Sequence, residues 1–448
     1  MLAPGAVLDA VLRVHRLPAA VAGALAALVA GAGEDALVDQ VRRAGGDAGD
    51  DSAVARLHVA LDRLLQAGAL HVAVRAGDRT LAVLEPMSPA FRLRPADPPL
   101  ERRLRLSRFA CLRRDGDALV LDSPRVHARL VVGDPAAAAV IAALAAPTTL
   151  RAIGPPRALV ALLARAGFAV EVDAGGRSAE DRDPPLAGWE FHDLWFHARS
   201  QRGRHRGDIG ATYRLAGIAP PPVVAPLRGP ASRSPTGPGI DLPRADLAAA
   251  ARADPPLAAV MEARRSTRAA GARPIALAQL GELLDRCVAV RSLVPGERDE
   301  VSRRPYPSAG ARYPLEIYVV ARACDSLAPG LHHYDPLGHR LETLRSMNVD
   351  VEALLAGATV GSAPPQVVLV LAARFLRVSW KYASIAYALV LQEAGIVTQS
   401  LYLAATAMRL AACAVGGTDS EGFARAAGVD PDVEGSIAAI ALGSLPSE

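Results

Sequence analysis

The chain has 448 residues, 51% of them hydrophobic and 21% charged, with an excess of only four positive charges. That length exceeds what one hydrophobic core serves and predicts two to four domains, while the composition excludes a disordered chain. The small charge excess, without any dense Lys/Arg block, argues against a nucleic-acid-binding tail.

In chain order, the pattern from Val21 to Glu85 predicts three helices, Val21 to Val29, Asp35 to Arg43 and Ala53 to Ala67, followed by two short strands. Gly68 stops the third helix and Gly77-Asp78 supplies a hairpin turn. That order is a winged helix-turn-helix. A second unit of this kind is expected from Leu104 to Asp173, with Asp115-Gly116 as its turn and a helix Arg157 to Arg165 stopped by Gly167. Leu64-x-x-Ala67-Gly68 and Leu163-x-x-Ala166-Gly167 form a weak internal repeat at the two helix ends. Leu17 to Gly33 lacks charge and follows Arg13 and Arg16, the layout of a signal peptide, but its Ala/Gly content is weakly apolar and the helical pattern runs through it.

Winged helices often bind DNA. The helix that would enter the groove carries Arg56, His58 and Arg63 beside Asp62, and the wing carries Asp78, so its positive face is thin for phosphate. Packing domains, or peptide binding by strand addition, fit better.

Gly175 to Asp183 is polar and Ala219 to Pro243 is rich in Pro, Gly and Ser; both read as connections. Between them, Trp189 to His197 holds two of the three Trp and must bury aromatic surface. The five- and eight-residue spacings of His192, His197 and His205 do not share one helix face, so packing histidines are expected and no metal site.

A new domain begins near Asp254. Leu257 to Arg268 predicts a helix ending in Arg264-Arg265-Ser266-Thr267-Arg268, where alternate guanidinium groups around a hydroxyl suit a phosphate. A helix Leu277 to Val288 follows, then Tyr306-Pro307-Ser308-Ala309-Gly310-Ala311-Arg312-Tyr313-Pro314-Leu315-Glu316, which feeds a strand Ile317 to Ala321. The small residues expose backbone groups that suit the edge of a planar ring, or make a plain tight turn. Gly330 to Asp335 and Val367 to Ala373 predict strands, the latter typical of a sheet centre. Beyond Ser379-Trp380-Lys381-Tyr382 come a long helix, Ile385 to Leu410, with Gln392, Glu393 and Gln399 amid apolar residues, then Val415-Gly416-Gly417 and a last strand Ile437 to Leu442. No stretch of strong hydrophobes approaches a membrane-spanning length.

Cys111, Cys287, Cys324 and Cys413 lie far apart without a CxxC pair, which fits free thiols in a reducing cytoplasm. All but one of the 50 Lys and Arg residues are Arg, and the exception is Lys381. A surface accepts either cation, but a site that must release a proton cannot use guanidinium.

Taken in order, the segments from Leu257 to Gly443 resemble the SagB-type dehydrogenases, flavin mononucleotide (FMN) enzymes of the nitroreductase-like fold that mature thiazole- and oxazole-containing peptides. The resemblance rests on Arg-Arg-Ser-x-Arg at 264 to 268, the Tyr306 to Glu316 block, Lys381-Tyr382, Glu393-Ala394-Gly395, Gln399 and Val415-Gly416-Gly417. Relatives also carry paired winged-helix units ahead of the catalytic domain, and the Trp189 to His197 segment is similar. It implies an α+β fold: residues 1–100 and 101–180 as winged-helix, peptide-recognition-like units, 181–250 as aromatic segment and linker, and 251–448 as the FMN domain.

The resemblance further implies a homodimer with flavin at its interface. Arg264, Arg265, Ser266 and Arg268 would hold the phosphate and ribityl chain, Pro307, Ser308, Ala309 and Gly310 would contact the isoalloxazine, and Gln399, Gly416 and Gly417 would complete the cofactor site. Lys381 would act as catalytic base in its neutral form, with Tyr382 as hydrogen-bond partner. Adjacent residues on a regular helix point about 100° apart, so both reach one substrate only at a helix start or irregular turn. The expected reaction takes two electrons and two protons from an azoline ring of a precursor peptide, whose leader segment the winged-helix units would bind beside a cyclodehydratase. The rivals are an NAD(P)H-dependent nitro- or quinone reductase and a flavin-free peptide-binding scaffold.

Overall fold

The computed structural model describes residues 2–4, 17–44, 51–153, 157–205, 207–218, 221, 239–296, 298, 300–359 and 363–446. Arg13, Arg16 and most of the stretch Ala219 to Pro243 lie outside them. The chain forms two compact units, Met1–Gly207 and Asp208–Glu448.

In the first unit, helices Ala19–Ala26, Glu34–Ala44 and Asp51–Gln66 precede a hairpin of strands Leu70–Ala76 and Arg79–Pro86. Leu37, Val41, Leu57, Leu61 and Leu65 recur at helical spacing and close a small core with Val21 and Leu28. Gly68 and Gly77 adopt positive φ at the helix end and the turn, and Gly167 does so at the end of the helix Arg157–Ala166. The expected boundary near residue 100 does not separate two sheets. Arg79–Pro86 pairs with Ala128–Val132, so one six-stranded sheet runs from Leu2–Pro4 through the hairpin to Ala118–Asp122 and Cys111–Asp115. The reason is shared burial: Val74, Leu81 and Leu84 of the hairpin pack in one core with Leu121, Leu130, Leu163 and Phe168.

The polar stretch Gly175 to Asp183 is folded onto this unit instead of serving as a linker. It contains a helical turn, Ala179–Arg182, whose Glu180 is buried and accepts hydrogen bonds from the Ser107 hydroxyl and the Arg108 amide. Helix Phe191–Arg199 follows, anchored by Trp195 Nε1 donating to the Phe109 carbonyl.

The second unit is built on a seven-stranded antiparallel sheet in the order Ile240–Asp241, Arg340–Ser346, Gly330–Asp335, Leu315–Ala321, Val367–Arg374, Glu434–Ser444, Leu410–Val415. Both faces are covered, which is why Leu315–Ala321 and most of Val367–Arg374 are buried without alternation. Ile317 and Val319 face a core shared with helices Leu277–Val288 and Ala386–Ala407. Tyr318 and Val320 face the opposite core, closed by helices Val349–Gly357 and Ser420–Ala427. The architecture is α+β. The break lies at 207/208 and not at 250/251, because residues from Asp208 onward pair with the C-terminal unit, as Gly210–Ala211 does with Tyr382–Ala383.

Helix Ala386–Ala407 corrects one expectation: among the described residues it is long and apolar enough to cross a membrane. Here its buried residues, Val390, Ala394, Val397 and Leu401, belong to the core against the sheet.

Candidate functional site

The segment Tyr306 to Glu316 forms a tight, unusual turn. Gly310, Ala311 and Tyr313 all have positive φ, at 60°, 55° and 43°, a region costly for residues with a Cβ. Side-chain bonds hold it there. The Ser308 hydroxyl accepts from the Tyr313 amide at 2.8 Å and donates to Glu393 Oε2 at 2.5 Å. Tyr313 donates its own hydroxyl to the Tyr306 carbonyl, and the two rings meet edge to face at 5.2 Å. Ser308 thus spends its hydroxyl inside the protein.

Glu393 projects from helix Ala386–Ala407 and is only 3% exposed. Burial pushes its carboxyl up to about 7, against the opposing pull of the Ser308 hydrogen bond and of Arg304 and Arg377. Its Oε1 has no hydrogen-bond partner among the described residues.

Lys381 and Tyr382 stand where the chain leaves a short helix. Phe375–Ser379 is helical, Trp380 keeps helical angles, and Tyr382–Ala383 is already extended and paired with Gly210–Ala211. The change of backbone between the two residues lets both side chains reach one point. A Cβ placed on Gly310 would lie 2.7 Å from Tyr382 Oη and 2.8 Å from Lys381 Nζ. The irregular turn that the pair requires is present, and the missing Cβ of Gly310 lets both groups approach its backbone.

A buried polar network supports this turn and helix together. Arg377 is 1% exposed, reaches Glu316 Oε1 at 2.7 Å and donates to the Tyr313 carbonyl at 3.0 Å. Burial works against the charge on Glu316, but Arg377 and then Arg374 outweigh it and hold the carboxyl well below its usual range. Burial also works against the Arg377 guanidinium, yet guanidinium keeps its proton at working pH, so the pair is ionic. His333 meets Glu316 Oε2 at 2.7 Å, and Arg374 joins Glu434, which accepts the Tyr318 hydroxyl. Arg312, also buried, donates to the Arg377 carbonyl at 2.9 Å.

The predicted phosphate group lies elsewhere on the unit. The helix expected to Arg268 ends at Ala263, and Arg264 to Arg268 lie outside helix and strand, with the Thr267 amide donating to the Ala412 carbonyl at 2.9 Å. Tyr402, which the sequence did not single out, organises this edge. Its hydroxyl accepts from the Ala414 amide at 2.6 Å, lies 3.0 Å from Ser266 Oγ, and its ring carries Arg264 at 5.4 Å. Arg265, Ser266 and Arg268 are exposed, as are Gly416 and Gly417, where an added Cβ meets nothing within 4 Å. Gln399 is exposed on the long helix.

The structure therefore forms two clusters: Gly310, Lys381 and Tyr382, with Ser308 and Glu393 beneath, and Arg264, Ser266 and Tyr402 beside the strand that leads to Gly416. Glu393 and Tyr402 stand nine residues apart on one helix, which is about 13.5 Å along its axis and half a turn around it. Among the histidines, His205 bonds the Arg199 carbonyl and His197 stacks with Trp189 at 5.4 Å, so the three do not converge. Glu190, His192 and Asp193 do approach one another, all exposed.

Residues 261–444 match the nitroreductase family, and residues 104–206 match the cyanobactin oxidase ThcOx. The nitroreductase-like protein MJ1384 of Methanocaldococcus jannaschii is 33% identical over 160 residues, which span 35% of this chain and 76% of that protein. This chain belongs to the nitroreductase family. The class of enzyme is accordingly an oxidoreductase. The microcin B17-processing protein McbC of Escherichia coli is 31% identical over 109 residues, covering 23% of this chain and 40% of McbC. Among solved structures, a nitroreductase-type protein of Ralstonia eutropha is 24% identical, with a TM-score of 0.38, over 50% of this chain and 99% of that one. The Escherichia coli microcin synthetase McbBCD complex with truncated pro-MccB17 is 23% identical, with a TM-score of 0.34, over 41% of this chain and 71% of that one.

Proposed function

We propose that this nitroreductase-family chain is an FMN-dependent dehydrogenase that oxidises azoline rings of a ribosomal precursor peptide to thiazoles or oxazoles. The observation that carries the reading is the convergence of Lys381 Nζ and Tyr382 Oη over Gly310. The match of residues 104–206 to a cyanobactin oxidase and the likeness to McbC favour a peptide azoline over a free nitro compound.

The residues present suit FMN. Arg264, Arg265, Ser266 and Arg268 offer guanidinium forks and a hydroxyl for a phosphate. Pro307, Ala309 and Gly310 would meet the edge of the ring system beside Lys381 and Tyr382, with Ser308 fixing the turn from below. Gln399 and the open backbone at Gly416 and Gly417 would complete the site. When bound, FMN supplies a two-electron acceptor for hydride.

The protein's own contribution is placement and proton transfer. Lys381 Nζ takes the proton from the ring carbon beside the C=N bond, and Tyr382 Oη holds the ring by a hydrogen bond and fixes its orientation. Arginine cannot substitute for this base, because guanidinium does not release its proton.

Two further parts belong to the reading. The phosphate cluster and the Gly310 cluster sit on opposite faces of helix Ala386–Ala407, an arrangement that favours a cofactor shared across a homodimer. Exposed Leu257, Met261, Tyr387, Leu391 and Ile396 supply apolar surface for it. The three helices and hairpin of the first unit act as a winged-helix module that holds the leader of the precursor peptide, and a cyclodehydratase delivers the azolines.

Incubation of the purified, flavin-loaded protein with a thiazoline-bearing peptide in air tests the reading. Loss of one hydrogen pair per ring by mass spectrometry is expected. No mass change, with fast NADPH oxidation, would establish the reductase instead, and a colourless protein that binds peptide would establish the scaffold.

A further inference from the structure

Residues 208–218 precede the Pro-rich stretch and fall in the range 181–250 expected as aromatic segment and linker. In the structure they form a strap against the segment that bears Lys381. Gly210 and Ala211 pair with Ala383 and Tyr382, and the Ser384 hydroxyl donates to the Asp208 carbonyl at 2.7 Å. Trp380 Nε1 donates to the Ile218 carbonyl at 3.0 Å, and the Tyr213 amide donates to the Lys381 carbonyl at 3.0 Å. Each residue from Trp380 to Ser384 is thus tied to the strap by backbone or side chain.

Tyr213 stands at the centre of these ties in a conformation unusual for a bulky side chain, with φ at 52°. Its ring meets Trp380 edge to face at 5.5 Å and lies 5.4 Å from Lys381 Nζ. The Arg298 guanidinium lies 4.1 Å from the same ring. Two rings thus stand near the amine, those of Tyr213 and of Tyr382, the latter 5.6 Å away. A positive φ at an aromatic residue persists only where its surroundings enforce it, and here those surroundings are the segment that carries the base.

We propose that Tyr213 is a positioning residue for Lys381: its ring stands against the amine and holds Nζ over Gly310. The functional consequence rests on Lys381 being the base. The placement itself does not, and the two can be tested apart.

Lys381 is the only lysine, so protein grown with 13Cε-lysine gives a single ε-methylene cross-peak, displaced by the aromatic rings beside it. Tyr213→Phe keeps the ring and is expected to keep that cross-peak and a turnover within about twofold of wild type. Tyr213→Leu is expected to move the cross-peak toward that of free lysine and to lower kcat by about tenfold or more, with little change in KM. An unmoved cross-peak in folded Tyr213→Leu overturns the proposal. A moved cross-peak with wild-type turnover upholds the placement and sinks the base assignment. Should Tyr213→Leu fail to fold, the wild-type protein decides: a nuclear Overhauser contact between the ε-methylene and the Tyr213 ring supports the placement, and its absence overturns it.

Discussion

Ser308 donates its hydroxyl hydrogen to Glu393 Oε2 at 2.5 Å while accepting from the Tyr313 amide, so the turn over the candidate site hangs on a carboxyl buried in the longest helix. Burial raises that carboxyl from an ordinary 4.5 to about 7. Across this window the folded protein holds a proton that the unfolded chain releases. The stabilising contribution is therefore complete below about pH 4.5 and is lost as pH rises through about 7. Glu393→Gln stays neutral throughout. Its stability relative to wild type should rise by on the order of 3 kcal/mol between pH 4.5 and about pH 8, read from denaturant midpoints. A difference that does not vary with pH would remove Glu393 as the titrating group.

The Arg377–Glu316 pair behaves in the opposite sense. Its carboxyl is held below the ordinary 4.5, so its contribution is present above that value and is lost as pH falls through the lower folded value. Arg377→Met strands a buried carboxylate and should cost about 3–5 kcal/mol at neutral pH. Adding Glu316→Gln should restore part of that loss. A double variant whose cost equals the sum of the single ones would show that the two side chains act independently.

Gly310 is where backbone and chemistry constrain each other. Alanine there meets Lys381 Nζ and Tyr382 Oη below contact distance, but both are ends of flexible side chains. Gly310→Ala should therefore fold, with a loss of about 1–2 kcal/mol from the positive φ. Its turnover should fall by about tenfold or more, because the pair is pushed apart. Wild-type turnover in this variant would mean that the space over Gly310 is not the reaction site.

Tyr402 supports the other cluster. Tyr402→Phe removes the acceptor for the Ala414 amide and the neighbour of Ser266. Loss of one neutral hydrogen bond and of side-chain placement should weaken FMN binding by about tenfold, measured by flavin fluorescence titration of the apoprotein. Affinity unchanged in Tyr402→Phe, together with unchanged affinity in Arg264→Ala, would move the phosphate site away from residues 264–268.

Much of the second unit was legible in the sequence because its signals are local. Helix Leu277–Val288 has an apolar periodicity that reproduces its limits, and the unbroken apolar run at 367 to 373 identifies a strand buried on both faces. Lys381 stood out by composition alone. What escaped depends on partners distant in sequence. Arg377 and Glu434 look like surface charges until the fold brings them to Glu316 and Arg374. Tyr402 is one aromatic in an apolar helix, and its hydroxyl acquires meaning only against Ala414 and Ser266. The helix predicted to Arg268 stops at Ala263 because the following residues bond to a neighbouring strand, a tertiary contact that no local propensity encodes. Glu180, in a stretch that reads as a connection, and the residues after Asp208, in the range read as aromatic segment and linker, escape for the same reason: composition does not reveal that their hydrogen bonds are made inside the fold.

Lys381→Arg decides whether the Lys381 amine is the base. Arginine stays cationic at every working pH, so it cannot take up the substrate proton as a neutral lysine amine does. With a thiazoline-bearing peptide in air, wild-type protein should lose one hydrogen pair per ring by mass spectrometry. The variant, equally folded and equally loaded with flavin, should leave the peptide mass unchanged. Near-normal conversion by Lys381→Arg would contradict the account.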